Sequence, residues 1–228
     1  MSDTIIKSHF FCIFAPRKRI SMTKTIYNRY DKKNISTLPP VQFEGRIIVI
    51  LTAGEAERAV DYLLKEPILG FDTETKPSFK KGYTHKVALL QVATPEKCFL
   101  FRLNYIGLTP AIIRLLEDTE VKKIGLSWHD DLNSLHHLGD FTTGRFIDIQ
   151  SLVSNIGIED LSLQKLYANL FGQKISKRQQ LSNWEQDILT EPQKRYAATD
   201  AWACISIYNE IIRLNKTGDY KLVIQESI

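Results

Sequence analysis

The sequence predicts an α/β protein in which a mixed sheet is flanked by helices and the C-terminal part is helical. Three observations carry this. Strand-like runs crowd the region from about residue 46, strand and helix patterns alternate through the middle, and beyond Gln150 the apolar spacing is helical throughout. Arg46 to Leu51 is a β-branched run and reads as a strand. Gly54 to Lys65 sets Ala56, Ala59, Val60, Leu63 and Leu64 along one side, as a helix does. Ile68-Leu-Gly-Phe71 leads into a buried strand. Lys86 to Ala93 and Cys98 to Leu103 form two more, with Thr94-Pro95-Glu96 as the turn of a hairpin. Ala111 to Leu116 reads as helix, Val121 to Leu126 as strand, Asp131 to Leu138 as helix and Phe146 to Ile149 as strand. Thr190-Glu-Pro-Gln193 combines a capping Thr, a first-turn Pro and a capping-box Gln, so a helix starts there and runs to about Leu214.

The domain that this pattern builds spans residues 41–216, with a loose N-terminal extension over 1–40 and a short tail over 217–228. The extension has no sustained periodicity and ends in Pro39-Pro40; Met22 within it offers an internal start. At 228 residues, 43% hydrophobic and 25% charged, the chain has enough apolar sequence for a full core. No apolar run approaches the roughly 20 residues that cross a bilayer, so no membrane is expected as partner. Ile5 to Ala15 is broken by Lys7 and His9 and has its basic cluster behind it, the reverse of a secretory signal. Cys12, Cys98 and Cys204 are too dispersed for a disulfide framework or a zinc site, which fits a reducing cytoplasm. The net charge of +4 misleads: residues 1–40 hold eight basic and two acidic residues, which leaves 22 basic against 24 acidic for the rest. Attraction for phosphate must therefore be local, at Lys76, Lys80, Lys81 and Lys86 or at Lys174, Lys177 and Arg178.

Three separated segments put acids where apolar residues are expected. Asp72 and Glu74 in Phe71-Asp-Thr-Glu-Thr75 are two apart on a strand and face the same way, with Phe71 and Thr73 opposite. Alone, such a pair is also what an acidic turn looks like. In Ser127-Trp-His-Asp-Asp131 the helical spacing puts Asp131 on a stripe with Trp128, Leu135 and Leu138, whereas Asp130 falls with Asn133, Ser134 and His137. Asp131 is the inward one, and helix capping is its other explanation. In Tyr196-Ala-Ala-Thr-Asp200 the Tyr and the Asp stack one turn apart on the buried face; a core tyrosine bonded to an aspartate has the same pattern. Together the segments say more. Carboxylates sharing one pocket repel by roughly 4 kcal/mol per pair at about 4 Å and an effective dielectric near 20. Divalent cations resolve that conflict. Carboxylate and water ligands suit Mg²⁺ or Mn²⁺, and two such ions can serve an in-line phosphoryl displacement.

The same segments, with Lys86-Val-Ala-Leu-Leu-Gln91, Leu161-Ser-Leu-Gln-Lys165 and Leu181-Ser-Asn-Trp184, resemble the DEDDy branch of 3′→5′ exonucleases. The likeness is to the exonuclease domain of the Werner syndrome helicase and, more distantly, to ribonuclease D and polymerase proofreading domains. It covers about residues 46–214. It implies a ribonuclease H-like fold, two Mg²⁺ or Mn²⁺ ions held by Asp72, Glu74, Asp131 and Asp200, and a Tyr196 that orients the attacking water. It implies cleavage of a nucleic acid from its 3′ end to nucleoside 5′-monophosphates, without a nucleotide cofactor. Substrate contacts are expected from Thr73, Trp128 and Lys174, with a place in the core as the other reading of Trp128. The chain departs from proofreading domains at Ser127, where they carry Asn. Two rival readings are an inactive nucleic-acid-binding adaptor of the same fold and a hydrolase of very short oligonucleotides. No motif encodes a contact to a 2′-hydroxyl, so DNA and RNA are equally expected.

Overall fold

The computed structural model describes residues 23–225. Its elements, in order, are β1 (Lys24–Tyr27), α1 (Lys32–Ile35), β2 (Pro40–Val41), β3 (Arg46–Ile50), α2 (Ala53–Leu63), β4 (Ile68–Thr75), β5 (Val87–Ala93) and β6 (Lys97–Phe101). There follow α3 (Leu103–Ile106), α4 (Pro110–Glu117), β7 (Lys122–Gly125), α5 (Trp128–His136), β8 (Phe146–Asp148) and α6 (Gln150–Val153). The chain ends with α7 (Leu163–Phe171), β9 (Lys174–Ile175), α8 (Glu191–Thr217) and β10 (Tyr220–Val223).

The six-stranded sheet has the order β3-β6-β5-β4-β7-β8. The β4/β5/β6 meander is antiparallel, whereas β3 joins β6, β7 joins β4 and β8 joins β7, all in parallel. Every residue of β5 is buried, which is why Val87 to Ala93 is a continuous apolar run broken by Gln91 alone. One face of the sheet packs Leu69, Phe71, Leu90 and Val92 against α2, α4 and α5. The other face packs Leu89, Ala93 and Leu100 beneath Ala197, Ala198, Ala201 and Ile205 of α8.

The helix starts are set by local chemistry. Thr52 and Glu55 form a reciprocal capping box on α2, and Thr190 and Gln193 form another on α8. Thr109 caps α4, with Pro110 as its first residue. Gly218, at φ 66°, ends α8 in the left-handed conformation, and its N–H donates to the Leu214 carbonyl at 2.9 Å.

Gly70 sets how closely α8 approaches β4. A Cβ there would lie 1.9 Å from the Ala201 carbonyl oxygen, a backbone atom that cannot swing aside. We expect Gly70→Ala to push α8 outward at a cost of about 3 kcal/mol. A thermal melt should show Tm lower by roughly 5 to 10 °C; an unchanged Tm would contradict this account of the packing.

The structure differs from the sequence reading at both ends. Residues 24–40 are not loose: β1 pairs in parallel with β10, and Tyr27 N–H donates to Asn169 Oδ1 at 2.9 Å. Ile26 and Ile35 are fully buried, and β2 pairs with β9. The partners lie some 130 to 200 positions away, so no local pattern announces them. The tail likewise holds β10. Met22, Cys12 and the Ile5 to Ala15 run lie outside the described residues. Residues 176–190 are also not helical. They follow an irregular path anchored by buried Trp184 and by Arg102, whose Nη2 and Nη1 donate to the Gln186 and Asp187 carbonyls at 2.5 and 3.2 Å. Among the described residues no helix is long and apolar enough to cross a membrane.

Candidate active site

Asp72 and Glu74 project from the end of β4 toward the face covered by α8, since the pleat sends alternate residues to one side. The β4/β5 register shifts between Glu74 and Thr75, a local irregularity of the kind that re-aims side chains at strand ends. Asp200 comes down from α8. One carboxylate oxygen from each of Asp72, Glu74 and Asp200 lies within 4.8 Å of the others. Tyr196, one turn before Asp200, has its ring 6.0 Å from the buried Trp184 ring.

Asp131, in the first turn of α5, accepts a short hydrogen bond from Thr73 Oγ1 and its charge is felt by Asp72 and Glu74, but it stands outside the three acids whose oxygens converge. Its neighbour Asp130 is exposed, so the helical stripe chose the inward acid correctly. What aims α5 is Asp148, at the end of β8. Its carboxylate accepts from the N–H groups of Ser127, Trp128 and Gln150 at 3.0, 3.1 and 2.9 Å. Ser127 is the one described non-glycine residue with positive φ, at 61°. Asn tolerates that conformation better than Ser, which gives a backbone reason for an Asn at this position in proofreading domains.

The electrostatics are those of crowded acid. Burial, followed by the charges of Asp200 and Asp131, holds the Asp72 carboxyl well above the usual carboxylate range. Glu74 is raised in the same way by burial and by Asp72, Asp200 and Asp131. Burial pushes Asp131 up to about 6 against the Thr73 hydrogen bond, and Asp200 up to about 7 against Tyr196 and the Lys177 charge. The Tyr196 phenol is held far above its ordinary value by burial, then by Asp200 and Glu74, so it keeps its proton at neutral pH. Asp200 Oδ1 is buried with no hydrogen-bond partner. An all-carboxylate donor set with an orphaned buried oxygen fits a hard divalent cation.

A 3′-5′ exonuclease family model matches residues 47–214. The chain belongs to the 3′-5′ exonuclease family. It is 32% identical over 192 residues to the bifunctional 3′-5′ exonuclease/ATP-dependent helicase WRN of Mus musculus, a match covering 79% of this chain and 14% of that protein. It is 28% identical over 204 residues to a 3′-5′ exonuclease of Arabidopsis thaliana, covering 82% of this chain and 71% of the other. The crystal structure of Escherichia coli RNase D superposes with a TM-score of 0.67 at 20% identity, over 76% of this chain and 45% of that one, which shows a shared fold.

Two of the expected substrate contacts in this exonuclease-family chain need correction. Trp128 is 4% exposed, with its ring 5.7 Å from Phe71 and 4.7 Å from Phe146, and it lies against Gly125. It is a core residue and has no free face for a base. Lys174, on β9, donates to the Ser36 carbonyl and does not line the cleft that holds Tyr196 and Asp200. The cation beside the acids is Lys177, which shares a cleft of about 220 Å³ with Gln164, Gln180, Tyr196 and Asp200. Thr73 is engaged with Asp131 and positions that acid. Asp148 is absent from the sequence expectations, and Lys177 enters them only as a member of a basic cluster. The first ends a strand like many capping acids, and the second is one of three cations whose pointing the sequence does not set.

Proposed function

We propose that this chain is a metal-dependent 3′→5′ exonuclease that hydrolyses terminal phosphodiester bonds and releases nucleoside 5′-monophosphates, using two Mg²⁺ or Mn²⁺ ions. The observation that carries the reading is the convergence of Asp72, Glu74 and Asp200 within 4.8 Å, beneath a tyrosine that stays protonated. Asp131 completes the ligand set. Bound divalent ions would lower the pKa of the attacking water and take up charge on the departing 3′ oxygen. Tyr196, protonated at working pH, orients that water by hydrogen bond and does not act as its base. Lys177 meets the phosphate from the cleft side. The E. coli relative is described as an exoribonuclease involved in structured RNA processing, and the mouse relative couples its exonuclease to a helicase. A free 3′ end is what a 3′-5′ exonuclease acts on, and it is the partner proposed here.

The test uses purified protein, Mn²⁺ and single strands labelled at the 5′ end, with matched DNA and RNA and a 3′-blocked control. Stepwise shortening from a free 3′ end with mononucleotide products supports the reading. Internal cuts, or strands left intact with and without Mn²⁺, overturn it. An adaptor of the same fold is not favoured, because Asp72, Glu74, Asp131, Tyr196 and Asp200 are all present. In the same assay Asp131→Asn is expected to lose at least about a hundredfold in kcat, by analogy with removing one transition-state charge contact. Asp130→Asn, outside on the same helix, should stay within about threefold.

A further inference from the structure

The segment joining β4 to β5, residues 76–86, begins two positions beyond Glu74 and reads Lys-Pro-Ser-Phe-Lys-Lys-Gly-Tyr-Thr-His-Lys. It holds four lysines and no acid, in a body that is otherwise slightly acidic. Both ends are pinned by one carboxylate. Lys76 Nζ donates to Glu185 Oε2 at 3.2 Å, and His85 Nδ1 lies 2.8 Å from Glu185 Oε1. Glu185 follows Trp184, which is fully buried and packs against Tyr196, so the base of the loop is fixed to the wall of the acid site. The tip is turned outward. Gly82, at φ 75°, makes the bend, and Tyr83 N–H donates to the Lys80 carbonyl at 3.2 Å. Phe79 is 89% exposed and Tyr83 51%, with Lys80 and Lys81 exposed between them.

An outward phenylalanine flanked by lysines gains nothing from the fold itself. Aromatic rings that offer free faces among cations suit unstacked bases and their phosphates. Phe79 lies five positions beyond Glu74, so the tip is no more than about 18 Å of chain from the acids, within reach of the first few nucleotides. We propose that Phe79, Lys80, Lys81 and Tyr83 form a holding surface for single-stranded nucleic acid on the 5′ side of the bond being cut. The bases stack on the two rings, and the lysines meet the intervening phosphates. This rests on the nuclease reading for its geometry, and the surface makes the protein prefer strands longer than those that fill the acid site alone.

The experiment pairs Phe79→Ala/Tyr83→Ala and Lys80→Ala/Lys81→Ala with wild type, on a dinucleotide and a twenty-nucleotide single strand. Phe79, Lys80 and Lys81 are exposed, and half-exposed Tyr83 meets the His85 ring at 4.9 Å, a surface contact, so the variants should melt close to wild type. Loss of the rings should raise KM for the twenty-mer roughly tenfold, leaving its kcat and all dinucleotide rates within about twofold. In a second arm, fluorescence anisotropy of a labelled twenty-mer in EDTA reads binding without turnover. There the double lysine variant should reduce the slope of log affinity against log salt by about 1.4. Equal losses on both substrate lengths or an unchanged salt slope would each overturn the proposal. Failure of wild type to cleave anything overturns the nuclease reading alone, since the anisotropy arm still reports on the loop.

Discussion

Asp72→Asn and Asp200→Asn are each expected to reduce kcat for strand cleavage by at least about a thousandfold while leaving the protein folded. Both substitutions preserve shape and remove one negative charge from the cluster where Asp72, Glu74 and Asp200 oxygens lie within 4.8 Å. A thousandfold loss corresponds to about 4 kcal/mol of transition-state stabilisation. That is of the order expected when a charge contact to the reacting phosphoryl group is lost in a water-poor site. The acids act as a unit, so the double variant should be barely worse than either single one. Tyr196→Phe should be milder, about ten- to a hundredfold, because it removes an orienting hydroxyl and no charge. Single-turnover cleavage with saturating Mn²⁺ separates these outcomes. Near-wild-type rates for either aspartate variant would remove the basis for a metal-assisted site.

The acids were legible in the sequence because each violated a periodicity. Asp72 and Glu74 interrupt a strand that is apolar up to Phe71, and Asp200 interrupts a buried helix stripe that continues through Ala203, Ile207 and Ile211. A carboxylate on a buried face stands out as long as the element type is read correctly, and here hairpin, capping box and helix spacing fixed the element types. The choice of Asp131 over Asp130 followed from the same spacing. What stayed hidden depends on contacts between distant segments. The pairing of β1 with β10 joins the two ends of the described chain. Asp148 steers α5 through N–H groups some 20 positions earlier. Residues 176–190 take their path from Arg102 and Trp184 and not from any repeat of their own. The place of Trp128 stays hidden for a related reason: an aromatic beside a motif acid looks the same in sequence whether it faces a cleft or packs on Phe71.

The crowding that serves chemistry also sets a stability penalty, and its sign can be worked out. Asp200 and Asp131 have carboxyls raised to about 7 and about 6 in the folded chain, and Asp72 and Glu74 are raised too, all with burial as the largest cause. A group that binds its proton more tightly when folded contributes stability that is complete below about pH 4. That stability is lost as pH rises through the folded value. Without divalent ions the protein should therefore become less stable between pH 5 and 7.5, by about 2 to 4 kcal/mol after allowance for the half-exposed Asp131. Lys123 works in a different window. Burial holds its ammonium down to about 8, so its effect is a gain in stability above that pH. Glu55, Glu159 and Glu210, all lowered in the folded state, act only on the acid side. In calorimetry with EDTA, Tm should fall by roughly 5 to 10 °C from pH 5 to 7.5. Millimolar Mn²⁺ should restore it at pH 7.5 and do little at pH 5, where protons compete for the same oxygens. Asp200→Asn should melt higher than wild type in EDTA at pH 7.5 and respond weakly to Mn²⁺, the expected exchange of activity for stability at a site built from repelling charges. A Tm that is flat across this range and indifferent to Mn²⁺ would mean that the acids are neutralised from within the protein, and the site would then have no use for a cation.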